Sequence, residues 1–149
     1  MILLIHLILG AAIASHIKIP VLALILAFLS HYFLDFIPHV EYDIKNIKEK
    51  HWRKSLPEIL KVILDFSLGI LLIFVFSENQ PIIYICALAA MAPDGLTFLS
   101  ALFPNKILAF HNNIHRKRVH FLKDKKISSF WRILSQITMA VISIFLLRF

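Results

Sequence analysis

Long apolar runs separated by short polar stretches set the rhythm of this chain. The first covers Met1 to about Ser15, and the second runs from Pro20 to Ile37. The third opens at Ser55-Leu-Pro-Glu58 and reaches about Phe76, while the fourth begins after Glu78-Asn-Gln-Pro81 and ends near Phe103-Pro104. The fifth spans about Ile127 to Leu147. A helix needs about 20 apolar residues to cross a bilayer core, so the later runs reach across and the first enters only partway. Pro20 suits a first helical position, where its missing N–H is no loss. Ser55-Leu-Pro-Glu58 matches the Ser-x-x-Glu capping box. The pattern predicts an all-α, polytopic helical membrane protein. It forms one domain over residues 1–149, with about five membrane-embedded helices.

Composition supports that class. The chain is 59% hydrophobic, with a mean hydropathy of +0.79, and a soluble domain of 149 residues has no core large enough for that much apolar surface. The single Cys86 excludes an intrachain disulfide and, inside an apolar run, is expected to be a small packing residue. A net charge of +7 would suit nucleic acid, but the basic residues flank apolar runs, which fits membrane topology and anionic head groups instead.

Five Lys/Arg lie between Val40 and Leu56 and seven between Pro104 and Lys126, against one in His16-Ile-Lys18-Ile19 and none in residues 77–80. By the positive-inside rule both long loops and the N-terminus are cytoplasmic, in the cytoplasmic (inner) membrane. The first run contains Ala-Ile-Ala-Ser, as a cleaved leader would. It lacks a basic n-region and carries His6, so it is expected to be retained.

Three aspartates, Asp35, Asp65 and Asp94, interrupt these runs. A carboxylate in hydrocarbon costs several kcal/mol unless paired, solvated or bound to a metal, so it marks function by default. In His31-Tyr-Phe-Leu-Asp35-Phe-Ile-Pro-His39 the polar residues recur every four positions, each turned only about 40° from the last on a helix. The orientation taken from loop charge puts His6, His31, Asp35, Asp65 and Asp94 in one half-layer, with His111 and His115 in the loop just beyond.

Imidazole and carboxylate together suit zinc, with manganese or iron as alternatives. The expected ligands are His6, His31, Asp35, His39, Asp94, His111 and His115. Asp65 and Asp94 serve as ligands, bridges between two metals, orienting partners or a catalytic base. Ala92-Pro93-Asp94-Gly95 weakens its helix, as suits backbone that lines a cavity. Arg116, Lys117 and Arg118, with Arg53 and Lys54, are placed to hold an anionic substrate or lipid head group.

Blander readings compete. His6 can be a hydrogen-bonded helix contact, His39 an interfacial residue, and Asp65 a partner of Lys61 one turn earlier. His111 and His115, beside the basic triplet, can belong to a head-group-binding helix. His16, His51 and His120 read as solvated. No Gly-rich phosphate loop, Gly-x-Ser-x-Gly elbow or His-Glu-x-x-His motif is present, and Ser30 points about 100° away from His31 on a helix.

His6, the Ser30–His39 run, Pro93-Asp94-Gly95 and His111-x-x-x-His115 together resemble the small bacterial membrane-bound, metal-dependent hydrolases related to the LexA-binding, inner-membrane-associated hydrolases. The likeness covers most of the chain through short motifs. Larger members carry Pro-Asp-x-Asp-His and a later His-Arg-Gly-x-x-His-Ser. Here the His31–Asp35–His39 run and His111-Asn-Asn-Ile-His115 stand in their places. The His-x-x-x-Asp pair also looks like part of the zinc-dependent phospholipase C group, which implies a phosphate ester as substrate. The expected function is a metal-dependent phosphoester hydrolase at the cytoplasmic interface. Its rivals are a metal-ion or proton transporter and a non-catalytic haem-binding or structural membrane protein.

Overall fold

The first helix, α1 (Leu3–His16), has apolar residues on every side, with His6 the one polar group before its last turn, and such a helix needs cover from protein or lipid all round. The computed structural model, which describes residues 2–49, 51–103, 105–115 and 127–149, provides that cover. The helix α2 (Pro20–Phe36) follows it, then a short turn of helix, α3 (Lys45–Lys48), and the long helix α4 (Leu56–Phe76). After them come α5 (Pro81–Leu102), α6 (Lys106–Ile114) and α7 (Ser129–Arg148). α1 packs against α2, α4, α5 and α7 and forms the centre of the bundle. Among the described residues there is no strand.

Leu7, Ile8 and Ala11 on α1 have no exposure, nor do Cys86, Ala87 and Ala90 on α5. Cys86 is thus the packing residue its apolar setting predicts. Close approach, rather than large side chains, brings α1 and α5 together. A Cβ on Gly10 would lie 2.6 Å from Ala90 Cβ and 2.7 Å from the Cys86 carbonyl oxygen. Small residues at such crossings are how apolar helices pack in lipid, where dispersion replaces the hydrophobic drive. Outward, α4 and α7 present Leu64, Phe74, Val141 and Phe145, all exposed, as lipid-facing helices do.

Among the described residues, three helices are long and apolar enough to cross a membrane: Leu56–Phe76, Pro81–Ser100 and Ser129–Arg148, with mean hydropathies of 2.5, 1.8 and 1.8. α1, with 14 residues, and α2, with 17, rise only about 21 and 26 Å. Both are shorter than the ~30 Å hydrocarbon core.

Local signals fared unevenly. Pro20, Pro57 and Pro81 all stand in the first turns of their helices, where proline costs nothing. The capping box does not close: the Ser55 hydroxyl donates to the His51 carbonyl instead. Glu58 turns away to accept the N–H groups of Asn46 and Ile47 and the Asn46 amide, so it caps α3 from outside. α5 runs unbroken through Pro93. The loop after α5 contains a helix, α6, whose first turn Asn105 caps by accepting from Ile107 and Leu108.

Candidate metal centre

The last two turns of α2 carry His31 and Asp35 on one face, as their i,i+4 spacing requires. α5 supplies Asp94, and His115 follows the last residue of α6. One donor atom from each of these four residues falls within 4.8 Å of all the others. His31 Nε2 lies 3.1 Å from Asp35 Oδ2, 3.0 Å from His115 Nε2 and 3.7 Å from Asp94 Oδ1. His115 Nε2 lies 3.3 Å from Asp35 Oδ2. Three of the four are buried, whereas the Asp94 side chain is 30% exposed and forms the open edge.

Outer contacts orient both rings. The His31 Nδ1–H donates to the Ala90 carbonyl at 2.8 Å, which leaves Nε2 with a lone pair facing inward. His115 Nδ1 is hydrogen-bonded to Thr97 Oγ1 at 3.3 Å. Such back-side bonds fix the tautomer of metal-ligating histidines.

The spacings among His31, Asp35 and His115 fit a cation, and Asp94 stands further out. A tetrahedral zinc with nitrogen and oxygen ligands at about 2.0–2.1 Å holds its donors about 3.3 Å apart. A proton on His115 Nε2 would satisfy one of these contacts; a divalent cation satisfies all of them. Without either, two imidazole lone pairs and a carboxylate would face one another in an apolar interior, which is costly.

The other predicted residues surround this group. His6 Nε2 approaches Asp35 Oδ1 at 3.3 Å, and His39 Nε2 approaches the same oxygen at 3.8 Å. His111 stands beside the four rather than among them: its ring stacks on His115 at 5.5 Å, and its Nε2 is hydrogen-bonded to the Tyr32 hydroxyl at 3.2 Å. Burial, with His115 and His31 nearby, lowers the His111 pKa from its ordinary 6.5.

Asp65 is occupied elsewhere. Its Oδ2 accepts the Leu4 N–H at 2.9 Å and so holds the first turn of α1. Among the described residues it forms no ion pair with Lys61. The Tyr42 ring packs beside it, and burial together with that carboxylate pushes the phenol well above its ordinary range. Arg116, Lys117, Arg118 and His120 lie outside the described residues. Arg53, Lys54 and His51 are exposed.

The pattern along the chain did not reveal several supporting groups. Thr97 follows Asp94 by three residues, and that spacing was the available signal. The polar stripe of α7 had no such signal. Arg132 donates to the His39 carbonyl at 3.0 Å, Gln136 donates to the Val40 carbonyl at 2.9 Å, and Ser135 donates to the Pro38 carbonyl. Together they pin the segment that carries His39.

Fold and site define a helical protein with membrane-span-capable helices and a buried His/Asp cluster able to hold a metal ion. Compared with known proteins, the chain matches no family model, no curated protein and no solved structure.

Proposed function

We propose that this protein is a membrane-embedded, metal-dependent hydrolase that cleaves a phosphoester of a lipid head group at the cytoplasmic face of the inner membrane. The observation that carries this reading is the convergence of His31 Nε2, His115 Nε2 and Asp35 Oδ2 within 3.0–3.3 Å, with Asp94 at the open edge. Structural metal sites are closed, whereas catalytic ones keep a position for water or substrate.

His31, Asp35, Asp94 and His115 would hold the ion, with zinc the best match to the donors and manganese or iron as alternatives. When bound, such an ion lowers the pKa of water toward 7 and polarises a phosphoryl oxygen. Asp94, partly exposed and the outermost of the four, would yield its position to the attacking water and accept the proton from it. The His31 and His115 rings are held by Ala90 and Thr97 and stay in ligating orientation without reorganisation. Asp65 acts through α1 rather than on substrate.

Lipid is favoured by α6. Its Ile107 and Phe110 are strongly exposed and Ile114 is partly so, while His111 and the following His115 turn toward the site. A helix with that division lies in the head-group layer. The basic loops, including Arg53, Lys54 and Arg116-Lys117-Arg118, would gather anionic head groups.

Transport fits less well. A depression lined by Ser15, His16, Glu78 and Arg148 lies at the opposite end of the bundle. Between it and the cluster the fully buried residues of α1 and α5 are Leu7, Ile8, Ala11, Cys86 and Ala87, all apolar. An ion path needs polar groups along its length.

The test is turnover of bis(p-nitrophenyl) phosphate and of head-group-labelled phospholipid in vesicles by the detergent-purified protein. Asp35→Asn is expected to remove turnover while leaving helical content unchanged. Wild-type turnover in that variant would overturn the assignment of Asp35, and no turnover by the metal-loaded wild type on any phosphoester would overturn the reading.

A further inference from the structure

Asp35 presents its two oxygens to two different pairs of histidines. Oδ2 faces His31 and His115 at 3.1 and 3.3 Å, and Oδ1 faces His6 and His39 at 3.3 and 3.8 Å. The geometry points to a binuclear centre in which Asp35 bridges two cations, the second held on Oδ1 by His6, His39 and Glu41. This rests on the metal-dependent reading above and deepens it.

The second set has the same donor types as the first, more widely spaced, at 3.3 to 3.8 Å. The His39 Nδ1–H donates to the Ile37 carbonyl at 2.7 Å, which leaves its Nε2 as a lone-pair donor 3.6 Å from Glu41 Oε1. His6 is fully buried, and neither ring nitrogen makes a hydrogen bond although Nε2 is 3.3 Å from Asp35 Oδ1. An imidazole that near a carboxylate, but out of line for a hydrogen bond, is arranged as a ligand beside a ligand. A buried ring with no hydrogen bond would otherwise forfeit its hydration for nothing.

The spacing agrees. The His6 and His31 rings stack with centroids 4.1 Å apart and planes 21° from parallel, and each sends Nε2 to a different oxygen of one carboxylate. Two-metal sites hold their ions about 3.5–4 Å apart. Asp35, Asp94 and Glu41 together offset most of the charge of two divalent ions, leaving a positive remainder for a phosphate. The clamp of Arg132, Ser135 and Gln136 on Pro38–Val40 then serves to hold His39 in ligating position. A pair of ions is suited to in-line displacement at phosphorus, since one can stabilise the attacking oxygen and the other the leaving oxygen. That chemistry favours a phosphoester over a carboxylic ester as substrate.

Manganese is the probe. The full-length chain in detergent, stripped of metal and reloaded with Mn(II), is expected to bind two equivalents and to show the exchange-coupled spectrum of a manganese pair. His6→Ala/His39→Ala should bind one equivalent and show an uncoupled signal. One equivalent in the wild type, with no coupling, would overturn the binuclear proposal and leave the single site standing. None at all, with Mn(II) or with zinc, would overturn both. The wild-type stoichiometry and spectrum decide the matter even where the double variant does not fold.

Discussion

The Leu4 N–H donates to Asp65 Oδ2 at 2.9 Å, so a carboxylate on α4 holds the first turn of α1 two residues before His6. α1 has no capping side chain of its own at Ile2, and its unsatisfied N–H groups attract negative charge. Asp65→Ala should destabilise the fold by about 0.5–2 kcal/mol, the usual cost of a lost N-cap. Asp65→Asn, which keeps an acceptor oxygen, should be milder and should retain turnover. Thermal unfolding in detergent micelles, followed by circular dichroism, checks the first. Loss of turnover in a folded Asp65→Asn protein would contradict the positioning role.

Tyr42 gives a pH signature at the same junction. Burial and the neighbouring Asp65 raise its folded pKa above the ordinary 10.0. The unfolded chain then loses the proton first, so the contribution to stability is complete below pH 10 and is lost as pH rises above it. The unfolding midpoint of the wild type should fall more steeply above pH 10 than that of Tyr42→Phe. Equal slopes would show that the phenol is not held neutral.

Gly10 marks the tightest helix contact around the core. A methyl group there meets Ala90 Cβ at 2.6 Å and the Cys86 carbonyl at 2.7 Å, and neither can yield without moving α5. Gly10→Ala should cost about 1–3 kcal/mol, as overpacking does, and should disturb the Ala90 carbonyl that orients His31. Unfolding temperature and metal affinity should therefore fall together. A stable variant with unchanged affinity would contradict this link.

What could be read from the chain, and what could not, follows from the range of each interaction. The i,i+4 spacing of His31 and Asp35 is a local property of a helix and survives folding intact. Prolines at helix starts do too. The convergence of His6, Asp94 and His115 on that pair was legible only through depth, because membrane orientation converts residue counts into positions along one axis. Sideways position was not available in that way. Asp65 lies at a depth similar to Asp94 but is engaged by α1, and His111 shares a face with His115 yet reaches Tyr32 instead. Ser55-Leu-Pro-Glu58 has the letters of a capping box, but Glu58 meets a better set of donors in α3. α6 was open to two readings, a basic loop or a head-group-binding helix, and the helix is the one that forms, with Ile107, Phe110 and Ile114 on one apolar face. The shortness of α1 was visible; that it would be wrapped on all sides depended on its neighbours.

The central claim is that His31, Asp35, Asp94 and His115 hold a metal ion, and metal content measured by mass spectrometry on the detergent-purified protein tests it most directly. The wild type is expected to carry at least one equivalent of zinc, manganese or iron, and His31→Ala/Asp35→Ala is expected to carry none while keeping its helical content. A wild-type protein that stays metal-free after reconstitution, or a double variant that binds as much as the wild type, would contradict the account.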